Sequence, residues 1–188
     1  VYLRLNGFSA MRFGEDIDFS IRIFKADCRC RLFPEAWVWH KRRTDFHKFW
    51  RQVYNSGIAR INLYKKYPES LKLVHLLPMV FTVGIIGTLL LLFFGFLPYL
   101  LGTEHIFPVL GNAMAALGCI GLFFILLYIV ALVIDSTKQN QSLKIGILSI
   151  RAAFTQLMGY GCGFLSAWWK RCILGKSEFS AYNKTFYK

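Results

Sequence analysis

Residues 73–97 read LVHLLPMVFTVGIIGTLLLLFFGFL. The run contains no Lys, Arg, Asp or Glu, and its polar members are His75 and Thr82, with Pro78 near its start. Around Leu89 to Phe94 apolar side chains cover every face that a helix would present. Two buried helices of a large soluble core would also be apolar, but an all-round apolar run of this length favours lipid. A turn through Gly102, Thr103, Glu104 and His105 leads to a second apolar run, Pro108 to Ile134. About 20 residues suffice for one crossing, so 73–97 and 108–134 are predicted as transmembrane helices. Gly84, Gly87, Gly118 and Gly121 are small enough to permit close helix packing there.

The rest of the composition fits that assignment. Of 188 residues, 55% are hydrophobic and 17% aromatic, which excludes a disordered, collagenous or wholly soluble chain. The net charge of +13 comes from 23 Lys and Arg against 10 Asp and Glu, yet no basic residue lies between Lys72 and Lys138. The basic surplus therefore flanks the apolar runs. That placement, with no nucleic-acid motif present, argues against nucleic-acid binding. Few polar groups fall inside the spans, which disfavours a transporter. Cys28, Cys30, Cys119, Cys162 and Cys172 are odd in number and lack zinc-finger spacing, so neither a disulfide scaffold nor a structural zinc site is expected.

After a polar connection, Asp135 to Lys144, residues 145–169 are apolar again but carry Arg151, Gln156 and the run Gly159-Tyr160-Gly161-Cys162-Gly163. A full third crossing would place Arg151 in or near hydrocarbon at a cost of up to about 3 kcal/mol. It would also put the basic tail 170–188, with Lys170, Arg171, Lys176, Lys184 and Lys188, opposite the basic N-terminal zone. An interfacial or re-entrant segment keeps both flanks on one side, which the positive-inside tendency makes cytoplasmic. Three true spans are the alternative.

Before the membrane, Glu15, Asp16 and Asp18 form a dense carboxylate cluster. Ile17, Ile21 and Phe24 recur at helical spacing, which puts the acids at a helix N-terminus, where negative charge is favourable. Caps are the commoner role of such residues. Arg29 to Phe33 and Ala36 to His40 read as two short strands around Pro34. Thr44 and Asp45 supply an N-cap and first turn for a helix over 45–68. Phe46, Phe49, Trp50, Val53, Ile61 and Tyr64 share one of its faces, and Lys48, Arg51, Arg60, Lys65 and Lys66 the other. A basic, aromatic-rich helix directly before a span suits the headgroup layer, with membrane lipids as partners. Val1 is not an initiator, so the chain is expected to be the C-terminal part of something longer.

Gly7-Phe8 followed by Phe13-Gly14-Glu15-Asp16-Ile17-Asp18-Phe19-Ser20-x-Arg22 resembles the acceptor-side end of the catalytic domain in family 2 glycosyltransferases, with Asn6 replacing the first glycine of the pattern. His40 with Arg42 and Arg43, and Gly159-Tyr160-Gly161-x-Gly163-Phe164 before the basic tail, extend the resemblance along nearly the whole chain. It implies an α/β remnant over 1–44, the C-terminal part of a GT-A nucleotide-diphospho-sugar transferase domain, followed by an α-helical membrane region.

The resemblance further implies a membrane-bound inverting enzyme that takes a nucleotide sugar as donor and a lipid-linked or glycan acceptor. Asp16 would be the general base and Glu15 would help to position it. Asp18 and Arg22 would brace the site or contact substrate, Arg42 and Arg43 would face the diphosphate, and His40 would contact a divalent metal, Mn2+ or Mg2+. The Gln-x-x-Arg-Trp motif of processive members is absent; the region offers Gln52 and Arg60 at other spacing. The family's N-terminal nucleotide-binding half, with its metal motif, is not in these residues. A non-catalytic membrane anchor or assembly module is the alternative function.

Overall fold

The computed structural model describes residues 1–9, 11, 13–39, 45–103, 105 and 108–177. Five α-helices follow one another: α1 (Glu15–Lys25), α2 (Phe46–Lys66), α3 (Leu77–Leu100), α4 (Pro108–Asn140) and α5 (Leu143–Trp168), the last closed by a π turn at Trp169–Ile173. Short 3-10 turns at Pro68–Ser70 and Leu73–Leu76 lead into α3.

The described residues contain no strand and no sheet, which corrects the α/β expectation for 1–44. The physical reason lies in residues 29–39. They run without secondary structure, apart from a turn at Pro34 and Glu35, and every one of them is exposed. Alternating apolar residues make a strand only when a neighbouring strand takes up their backbone donors and acceptors. Trp37 and Trp39 pack on one another instead, edge to face at 5.4 Å.

Contacts divide the chain into two units: Val1–His75 with Cys162–Lys188, and Leu76–Gly161. In the second unit α3 and α4 form an antiparallel hairpin whose seam is made by small residues. A Cβ added to Gly95 would strike the Ala115 backbone, one on Gly118 would lie 2.8 Å from the Leu92 nitrogen, and one on Gly121 would strike the Thr88 hydroxyl. The same register brings Pro98 to Gly111, Tyr99 Oη to Asn112 Oδ1 and the Phe81 ring to Tyr128. Outward, Leu89, Leu90, Phe93, Phe94, Phe123, Phe124, Leu126 and Leu127 are exposed. The stretches Leu73–Leu100 and Pro108–Asn140 are both long and apolar enough to cross a membrane. The helix read as ending at Ile134 continues through Asp135 to Asn140, because nothing in Asp135-Ser-Thr-Lys-Gln-Asn breaks it before Gln141 turns at φ 50°. α5 is continuous through its glycine run, so that run creates no reversal.

In the first unit α2 is capped by Asp45, whose carboxylate accepts from the His47 N–H at 2.8 Å. The burial on α2 is broader than a single stripe: Val53, Gly57, Ile58, Ala59, Ile61, Asn62 and Leu63 are all buried, whereas Trp50 is exposed. The reason is that α2 is covered from more than one direction. Gly14 sits on Ala59 and Leu63, the Tyr54 carbonyl sits where a Cβ on Gly163 would go, and Arg171 donates to Asn62 Oδ1.

Small residues in the hairpin seam generate a testable contrast. Gly118→Val forces a methyl-bearing carbon into the Leu92 backbone and is expected to cost about 1–3 kcal/mol, read as a fall of several degrees in the thermal midpoint in detergent. Gly84→Val is the control, since an added Cβ there meets nothing within 4 Å; its midpoint should match the unmodified protein.

Candidate functional site

The acidic cluster occupies the first turn of α1. Gly14 precedes it in the left-handed conformation, φ 82°, which disfavours a side chain, and its carbonyl accepts from the Asp18 N–H at 2.8 Å to open the helix. A Cβ at Gly14 would also lie 3.3 Å from Leu63 Cδ1 and 3.4 Å from Ala59 Cβ. Chain reversal and close approach to α2 thus converge on one glycine. Helical spacing then separates the fates of the three carboxylates.

Asp18 points inward and has no exposed surface. Its Oδ2 accepts from Arg22 Nε at 2.9 Å, one turn along the same helix, and its Oδ1 accepts from Lys66 Nζ at 2.6 Å, from the last turn of α2. Arg22 spends its remaining donors on the Leu5 and Gly7 carbonyls, the latter at 2.6 Å, and its guanidinium lies 5.2 Å from the Phe19 ring centre. Phe19, Tyr2 and Phe8 close a three-ring cluster with centroids 5.1–5.9 Å apart. One buried carboxylate therefore holds the N-terminal turn, α1 and the end of α2 together.

Burial raises the Asp18 pKa, but the hydrogen bond and charge of Lys66, with the Arg22 bond, outweigh it and hold the carboxyl below its ordinary value. Lys66 moves the opposite way: its bond to Asp18 and the Asp18 charge raise it above its ordinary value against a smaller effect of burial. Beside it, Lys25 pairs with Glu69 at 2.6 Å and lies 4.6 Å from the Tyr67 ring centre.

Asp16 behaves differently. It is exposed, its Oδ1 accepts only from the adjacent Ile17 N–H at 2.9 Å among the bonds described, and its carbonyl accepts from Ser20 Oγ at 2.8 Å. Glu15 is half-buried beside it. An exposed carboxylate on a rigid first turn can take a proton from an incoming hydroxyl; a carboxylate already shared by two cations is poorly placed for that work.

His40, Arg42 and Arg43 lie outside the described residues, as do Lys184 and Lys188. Among the described residues no three His, Cys, Asp or Glu are grouped to hold a metal ion. Asp18 is a poor candidate for such a group, since both its oxygens are committed, and no chemical step is routed through a metal here. Lys66 carries no local signal of its role, because it reaches Asp18 across 48 positions of chain. The Asp18 to Arg22 bond had a signal, the i,i+4 spacing on one helix face. No family model, curated protein or solved structure matches this chain.

Asp18→Asn removes the charge but nearly keeps the shape. Lys66 is 44% exposed and regains water, so the main loss is the Arg22 pair, 21% exposed, and stability should fall by about 2–3 kcal/mol in a denaturant titration. The sign with pH follows from the lowered pKa: the stabilisation is present above the unfolded value near 4 and is lost as pH falls through the folded value. Stability of the unmodified protein should drop below about pH 4, and the variant should lack that component.

Proposed function

We propose that this chain forms the membrane-anchored, acceptor-side part of an inverting glycosyltransferase. It would move a sugar from a nucleotide sugar to a lipid-linked or membrane-proximal acceptor in glycan synthesis. The observation that carries the proposal is the division of labour among the carboxylates of Gly14-Glu15-Asp16-Ile17-Asp18: Asp18 is buried between two cations, and Asp16, on the same helical turn, is exposed.

In this proposal Asp16 accepts the proton of the acceptor hydroxyl as that oxygen bonds to the anomeric carbon. The bond from that carbon to the diphosphate breaks from the opposite face, the nucleoside diphosphate leaves with the electron pair, and the configuration inverts. Glu15 positions Asp16. The donor nucleotide is bound by polypeptide other than the residues described here. A long apolar stretch that begins at Leu73, a few residues after α2, and a second that begins at Pro108 support a membrane acceptor. The absence of Lys and Arg between Lys72 and Lys138, against basic flanks on both sides, supports a multi-pass protein whose N-terminal zone and tail face the cytoplasm.

Asp16→Asn in the complete polypeptide tests the proposal. Transfer from radiolabelled UDP- and GDP-sugars in membranes should fall by about 100-fold or more, with donor binding and thermal midpoint unchanged because Asp16 is exposed. Turnover close to the unmodified rate would overturn the assignment and favour the anchor-module alternative.

A further inference from the structure

We infer that α5 lies along the membrane surface, across the open end of the α3–α4 hairpin, with its polar side seated among anionic lipid headgroups. This placement rests on the chain being a membrane protein; it goes beyond the proposed activity and does not depend on it.

The first support is register. Along the hairpin, Thr88 meets Gly121 and Phe81 meets Tyr128, so each step up α3 is matched by a step back along α4. α5 enters beside the end of α4: a Cβ on Gly146 would strike the Thr137 hydroxyl and lie 3.1 Å from the Val133 carbonyl. Eight residues on, Phe154 lies 5.5 Å from Phe81 and 6.4 Å from Tyr128, centroid to centroid. If α5 continued upward as a third crossing, another seven residues, about 10 Å, would bring Gly161 to the level of Thr88 and Gly121. Gly161 instead packs on Pro78 and Thr82, in the first turns of α3, and the Leu157 carbonyl accepts from Thr82 Oγ1 at 3.4 Å. The helix therefore meets the first turns of α3 obliquely and does not run up alongside it. Phe81 lies four residues, about 6 Å, beyond the start of α3, within the roughly 5–10 Å depth at which interfacial helices bury their apolar face.

The second support is the polar line opposite the contacts with the hairpin. Lys144, Arg151, Thr155, Cys162 and Ser166 follow one another at spacings of seven and four, which is one line along the helix. Lys144 and Arg151 are exposed, and the opposite line holds Gly146, Phe154, Leu157 and Gly161. A helix surrounded by lipid would carry that polar line through hydrocarbon, whereas an interfacial helix turns it to the headgroups. Residues 143–177 contain no Asp or Glu, and their exposed cations Lys144, Arg151 and Lys176 match anionic phosphate, while exposed Trp168 and Trp169 sit at the helix end as residues of the membrane–water boundary do.

The test places single cysteines at Lys144, Arg151 and Lys176 in a background with Cys28, Cys30, Cys119, Cys162 and Cys172 replaced. Sealed vesicles of both orientations are treated with a membrane-impermeant maleimide. All three positions should react from the same side. Reaction of Lys176→Cys from the side opposite to Lys144→Cys would show a crossing and overturn the inference while leaving a membrane protein. Arg151→Cys reacting from neither side until detergent is added would overturn it as well. Release of the unmodified protein by alkaline carbonate would instead refute membrane insertion itself.

Discussion

A carboxylate with no exposed surface cannot remain charged unless it is paired, and Asp18 meets that condition by drawing on two cations from different elements. Arg22 serves it from the same helix and ties down the Leu5 and Gly7 carbonyls with its other donors. Lys66 serves it from the end of α2, and α2 in turn receives Gly14 on Ala59 and Leu63. With no sheet among the described residues to organise this zone, the ion-paired carboxylate does the organising. The helix that displays Asp16 to water is held by the residue two places on.

The hairpin of two helices long and apolar enough to cross a membrane is governed by a different constraint, the closeness of backbones. In lipid there is little hydrophobic gain when one apolar helix meets another, so packing decides the pairing. Gly95, Gly118 and Gly121 let α3 and α4 approach until main-chain and threonine atoms touch, while leucines and phenylalanines point outward. The two kinds of unit thus use opposite chemistries, one built around a charge and one around the absence of side chains.

What was legible in the sequence follows from how local each signal is. The apolar runs and the helical acidic turn were readable because length and spacing act within a few residues; of the four glycines expected to permit close packing, Gly118 and Gly121 lie in the seam, whereas Gly84 and Gly87 meet nothing and Gly95 takes a place there instead, because which side of a helix is packed depends on its partner. The strands at 29–33 and 36–40 were not readable, because a strand depends on a partner elsewhere, and alternation in Trp37-Val38-Trp39 exists without one. The apolar face of α2 is broader than its local pattern for a related reason: Ala59 and Leu63 are covered by Gly14 at the start of α1, and Tyr54 and Asn62 meet Gly163 and Arg171 from the far end of the chain, which no window on α2 contains. For the site, the motif drew attention to Asp16 and Asp18 together, and only coordinates could show that one is buried and the other exposed.

The 48 residues between Asp18 and Lys66 also impose an order of events during synthesis. At about 5–20 residues per second, Asp18 is made roughly 2–10 s before its second partner. Through that interval it has Arg22 alone, and the N-terminal zone lacks its closing contact. Lys66 arrives just ahead of the apolar run that starts at Leu73. The clamp on Asp18 is thereby complete before the first apolar run is made, whereas the contacts of Gly163 and Arg171 with α2 follow only after both apolar helices, so a pause in translation between Asp18 and Lys66 would leave the acidic helix half-clamped.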